Sequence, residues 1–158
     1  MSNSILVSVH EDTDTPEWID NVKPFIDKVL KELKYDGEEV SVLFCGDSFI
    51  RQLNSQYRHI DSATDVLSFE DGTVYEDESG TKWKSVGDII ISLDTLQKNA
   101  EYFETTTNEE LKRLLVHGIL HLNGMDHGEE HIEKGKKPDC AMLVLQEQLL
   151  ANFSGEII

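Results

Sequence analysis

Apolar positions along this chain fall into two periods, and the switches between them outline its elements. ILVSV (5 to 9) is short and β-rich, and the acidic, turn-like HEDTDTP follows it, so a first strand and a loop are expected. From Glu17 to Leu33 the residues Trp18, Ile19, Val22, Phe25, Ile26, Val29, Leu30 and Leu33 recur at three- and four-residue intervals. That spacing predicts an amphipathic helix, with Pro24 marking a kink or a later start. Asp36-Gly37 breaks the pattern, and EVSVLFC (39 to 45) reads as a second strand. Gly46-Asp47 then leads into a short helix through Phe49, Ile50, Leu53 and Tyr57, with Asp47 as its expected N-cap.

DVLSF (65 to 69) and VGDIIIS (86 to 92) supply the third and fourth strands, and three consecutive isoleucines predict burial on both faces of the latter. Between them, EDGTVYEDESGTKWK is polar and carries two turn signals, the pattern of an exposed hairpin or a mobile loop. Leu93 to Phe103 is helical. Thr107-Asn108-Glu109-Glu110 has the form of a capping box before LKRLLVHGILHL, and a last helix is expected from about Pro138 to Phe153. The expectation is a single α+β domain over residues 1–158, with a mixed sheet of about four strands, about five helices, and the histidine-bearing helix central.

A chain of 158 residues can bury a substantial core without disulfides or a structural metal. No apolar run approaches the roughly 20 residues needed to span a bilayer, and the start MSNSILVSVHEDTD lacks a basic signal-peptide region, so a cytoplasmic location is expected. Cys45 and Cys140 form no C-x-x-C pair and read as buried thiols. Thirty-one acidic residues against 14 basic ones give a net charge of −17, which repels phosphate backbones unless a local basic site or a partner offsets it.

Within that ordinary composition, HGILHLNGMDH (117 to 127) places three histidines and an aspartate in one of the most apolar segments. Residues four apart on a helix lie about 40° apart around its axis, so His117 and His121 share a face. Gly124 lets the chain leave the helix and turn back toward the same point with His127. Three imidazoles at this spacing are explained better by one shared cation than by three separately satisfied core histidines. Their spacing is that of H-E-x-x-H-x-x-G-x-x-H zinc proteases, in which three imidazoles leave a position open for water. Gly118, however, replaces the glutamate that would act as general base, which undermines protease chemistry. Zinc is the expected ion, although other divalent metals can use the same ligands. Asp126 would orient a ligand ring, help activate bound water, or cap the turn. His10, His59 and His131 carry no comparable spacing.

HGILHLNGMDH resembles the H-G-x-L-H-L-x-G-x-D-H signature of the YbeY endoribonucleases, bacterial rRNA maturation factors. LNSQYRHIDSATDVLSF (53 to 69) resembles a second block of that family, and VGDIIIS and MLVLQEQLL fit its later strand and C-terminal helix. The likeness runs in order from about Val40 to Leu150. It departs at Glu70, where the family usually has proline, and no family motif matches segment 70 to 85.

The resemblance implies zinc ligation by His117, His121 and His127, with Arg58 in the cleft near the metal. A guanidinium there suits a phosphate, whereas residues alone would favour a salt bridge from Arg58 to Asp61 or Asp65. Thr64, Asp65 and Ser68 fit turn chemistry at a strand entrance better than catalysis. The implied function is single-strand-specific endoribonuclease action in small-subunit rRNA three-prime maturation and ribosome quality control, with rRNA, the small subunit or assembly proteins as partners. A non-catalytic assembly factor with a structural metal, or a metal hydrolase of peptides or esters, are the alternatives. Arg51 and Arg58 against Asp47 would make a locally basic cleft, which Lys112, Arg113, Lys134, Lys136 and Lys137 would extend. Weak intrinsic affinity for free RNA is expected.

Overall fold

In the computed structural model the described residues are 2–125 and 140–158. Four strands form one mixed sheet in the order β1-β2-β4-β3: β1 (Ser4–Val9), β2 (Glu38–Cys45), β3 (Val66–Glu76) and β4 (Lys82–Ser92). β1, β2 and β4 run parallel, and β3 pairs antiparallel with β4 at the edge. Parallel neighbours require crossovers: α1 (Val22–Glu32) connects β1 to β2, and α2 (Asp47–Arg58) leaves β2 before the β3–β4 hairpin. Three helices complete the fold: α3 (Leu93–Tyr102), α4 (Thr107–Leu122) and α5 (Ala141–Asn152). Among the described residues the expected α+β domain with four strands and five main helices is therefore present.

Side-chain alternation along β4 divides the molecule into two layers around the sheet. Ile89 and Ile91 belong to the larger core, with Phe25, Ile26 and Leu30 of α1, Leu115 and Ile119 of α4, and Met142 and Leu149 of α5. Ile90 faces the other way, into a smaller cluster with Cys45, Leu67 and Ile50 of α2. The three isoleucines are thus buried on both faces, as their run predicts. α4 is the central helix of the larger layer and packs against both α3 and α5.

Boundaries differ from the sequence reading where distant residues decide them. Pro24 falls in the first turn of α1, where its missing N–H is harmless, and a short 3-10 turn (Ile19–Asn21) takes the preceding stretch. α1 stops before Asp36-Gly37, because Lys34 adopts a left-handed conformation (φ 63°) and Tyr35 donates back to Leu30 O at 2.9 Å. Asp47 is not the N-cap of α2. Gly46 holds that position, and Asp12 reaches across from the β1 loop to accept from the Gly46 and Phe49 amides at 3.0 and 3.1 Å. The N-cap of α4 lies one residue earlier than expected, with the Thr106 hydroxyl accepting from Glu109 N while the Glu109 carboxylate pairs with Lys112. The segment between the third and fourth strands is a hairpin continuous with the sheet, with a register shift between Glu70 and Thr73. There Gly87 (φ 132°) approaches Phe69 O so closely that a β-carbon would lie 2.0 Å from it. Pro138 lies outside the described residues, and α5 begins at Ala141.

Candidate functional site

α4 is apolar on most of its circumference because it packs between sheet and helices, yet one strip departs from this pattern. His117 and His121 are partly exposed on that strip, one turn apart, with ring centroids 4.7 Å apart and planes at 67°. Gly118, the neighbour of His117, points into the sheet instead: a β-carbon there would lie 2.8 to 3.0 Å from the side chain of Ile89. A glutamate at 118 would collide with a fully buried isoleucine, so the close seating of α4 excludes the protease base.

The helix ends as Gly124 suggests. Gly124 (φ 86°) donates to His121 O and Met125 donates to Leu120 O, each at 3.0 Å, closing a Schellman turn immediately after the histidine pair. His127 and Asp126 lie outside the described residues, and among the described residues no group of three potential metal ligands is found. The pair nevertheless fits a metal in its chemistry. The Nδ1 of His117 is 2.8 Å from Oε1 of Gln146 on α5. An acceptor at Nδ1 holds the proton there and puts the ring's lone pair on Nε2, the arrangement metal-ligating imidazoles use. Sequence reading missed Gln146, whose only signal was a polar residue at a core position of an apolar helix.

A polar network adjoins the strip. Arg113, one turn before His117, forms a bidentate pair with the buried Glu110 and sits 4.6 Å above the Phe103 ring. Asn99 bridges Glu110 to Asp65, donating to the two carboxylates at 3.2 and 2.8 Å. Burial pushes the Glu147 carboxyl up, opposed by the nearby charge of Arg113. Asp65 also accepts from Val66 N at 2.7 Å, so it anchors the start of β3, the structural role its turn chemistry suggested.

Arg58 is the exposed last residue of α2, on the layer opposite α4, and among the described residues no hydrogen bond or ion pair joins it to either histidine. The salt bridge considered for Arg58 belongs to Arg51, whose guanidinium donates to both oxygens of Asp61 at 2.8 and 3.1 Å. Nor do Lys112 and Arg113 extend a basic cleft, because Lys112 is fully buried and Arg113 is paired. Lys134, Lys136, Lys137 and His131 lie outside the described residues. Cys45 is buried, and burial raises its thiol to about 12, whereas Cys140 is only partly buried, contrary to expectation.

Together these features define a single-domain α+β protein whose central, sheet-packed helix presents a histidine strip at one end. The family model described as Endoribonuclease YbeY matches residues 6–154. The chain belongs to the YbeY endoribonuclease family. It is 53% identical over 155 residues to Endoribonuclease YbeY of Treponema denticola, covering 97% of this chain and 95% of that one. It is 48% identical over 136 residues to Endoribonuclease YbeY of Treponema pallidum, covering 86% and 81% of the two chains. The solution structure of TM1509 from Thermotoga maritima is similar over 96% of this chain and 89% of that chain, with TM-score 0.62 and 28% identity. Among the described residues no helix is long and apolar enough to cross a membrane.

Proposed function

We propose that this chain is a zinc-dependent, single-strand-specific endoribonuclease acting in the cytoplasm on ribosomal RNA, at the three-prime end of the small-subunit rRNA and in ribosome quality control. The observation that carries the metal reading is the paired, partly exposed His117 and His121 on one helical face, with Gln146 behind the first ring. Partial exposure favours a site that substrate reaches over a structural metal buried for stability. His127 completes the ligand set in this reading, and Asp126 orients a ligand ring, helps activate bound water, or caps the turn.

Zinc bound there supplies Lewis-acid polarisation of the scissile phosphodiester and of water. His117 and His121 would hold the ion from one face of α4, and the close seating of that helix on Ile89 keeps their spacing. Arg58, exposed at the end of α2, contributes a planar guanidinium that binds a phosphate of the RNA chain. With Arg51 tied to Asp61 and Lys112 buried, few described cations remain to neutralise a nucleic-acid backbone against a net charge of −17. Intrinsic affinity for free RNA is accordingly weak, and small-subunit or assembly proteins supply docking.

The test compares wild type, His121→Ala and Arg58→Ala on a defined pre-rRNA fragment, with metal content measured on the same samples. Wild type cleaves and carries about one zinc per chain, His121→Ala loses both metal and activity, and Arg58→Ala keeps the metal while losing cleavage. Equal cleavage by all three, or cleavage indifferent to metal removal, rules the mechanism out. End-group analysis of the products separates attack by water from attack by the ribose 2′-hydroxyl.

A further inference from the structure

Gln146 is fully buried on α5, in a helix whose other buried residues are Met142, Leu143 and Leu149. Burying an amide against apolar neighbours is unfavourable unless its polar atoms are used. Only half of this amide is: Oε1 meets His117 Nδ1 at 2.8 Å, while Nε2 is buried with no hydrogen-bond partner among the described residues. Leucine at this position would pack against α4 without an unsatisfied group, so packing does not account for glutamine. Its contact with His117 does.

We infer that Gln146 is a positioning residue, selecting the tautomer and ring orientation in which His117 binds metal. The inference rests on the histidine reading of the site given above. An amide can present either end to the ring. With Oε1 toward Nδ1, the ring proton stays on Nδ1 and the Nε2 lone pair is directed at the ion. With the amide reversed, its NH2 group donates to Nδ1, the ring proton moves to Nε2, and His117 no longer ligates. Among the described residues no partner of Gln146 Nε2 meets hydrogen-bond geometry, so only a looser interaction of the amide with the neighbouring Glu147 carboxyl bears on which way round it sits. Amide and imidazole therefore set each other, and metal binding selects one of two arrangements. Part of the metal-binding free energy is spent on that selection.

Replacing the amide by a carboxylate removes the donor-bearing orientation, and replacing it by an aliphatic side chain removes the acceptor. The experiment measures zinc affinity by chelator competition on the full-length wild type, Gln146→Glu, Gln146→Leu, Gln146→Met and His121→Ala, with circular dichroism and thermal unfolding on each. Gln146→Leu or Gln146→Met, whichever folds, is expected to bind zinc about ten- to a hundredfold more weakly than wild type. Gln146→Glu is expected to bind at least as tightly as wild type. Nitrogen-15 shifts of the His117 ring should report an Nδ1-protonated imidazole in the zinc-loaded wild type. Wild-type affinity in a folded Leu or Met variant, or weakened affinity in a folded Glu variant, overturns the role of Gln146 and leaves the histidine site standing. Wild type that binds no zinc, or His121→Ala that binds it as tightly, instead overturns the histidine site itself.

Discussion

Gly118 shows how much of the site rests on a missing side chain. Alanine is favoured over glycine in a helix interior by about 1 kcal/mol. Here, however, a β-carbon meets Ile89 at 2.8 to 3.0 Å, and Ile89 is a fully buried β-branched residue in the central sheet. Overpacking of this kind costs about 1–3 kcal/mol, so sterics outweigh propensity. Gly118→Ala should lower the free energy of unfolding by about 1 kcal/mol, read from the urea midpoint. A rise in stability would show that α4 is seated less tightly than the contact implies. The sequence announced Gly118 as a departure from a protease motif and as part of the HGILHLNGMDH signature. That it points into Ile89 became visible once β4 was beneath α4. His117 and His121 were legible because their four-residue spacing fixes a shared face. Gln146 was not, because its partner lies 29 positions earlier on another helix.

At the scale of elements, strong periodic segments appeared where the pattern placed them, and the misplaced features were caps. Asp12 caps α2 from a loop 34 residues before Gly46, a relation no local window contains. The β3–β4 hairpin was legible as one of two options, and its tip shows why it folds. Asp77 accepts from the Trp83 indole N–H at 3.0 Å, from the Ser79 hydroxyl and from the Thr81 amide. The Trp83 bond first, then those of Ser79 and Thr81, lower its carboxyl from the ordinary 3.8 to about 2. A depressed carboxylate pKa contributes stability that is present above the unfolded value near 3.8 and is lost as pH falls through about 2. Amide exchange protection at Ser79 and Thr81 should therefore weaken between about pH 4 and pH 2, and Asp77→Asn should remove most of that pH dependence. Unchanged protection across that range would dismiss Asp77 as the organiser of the turn.

At the scale of the molecule, Lys112 joins the histidine helix to the end of the chain. Its ammonium is fully buried, donates to the carbonyls of Phe153 and Glu156 at 3.0 Å each, and pairs with Glu109 at 2.8 Å. The C-terminal Ile158 is also buried in the main core, and its amide donates to Asn108. Removing Lys112 takes the charged donor from two carbonyls, at about 1.5–3 kcal/mol for each such hydrogen bond, far more than a surface pair contributes. Lys112→Ala should thus destabilise the fold by about 3 kcal/mol in urea unfolding. A change below about 0.5 kcal/mol would place Lys112 among ordinary surface lysines.

By itself the sequence determined the element types, the four-stranded α+β class and the helical face shared by His117 and His121. Each follows from a period or spacing within one segment, where backbone geometry alone converts sequence distance into direction. Tertiary structure decided which cations remain available, which carboxylates cap which helices, and which amide stands behind the first imidazole. Those depend on pairings between segments tens of residues apart, such as Lys112 with Phe153 or His117 with Gln146. Packing brings such residues together through the side-chain volumes of the whole core, a quantity no local pattern encodes.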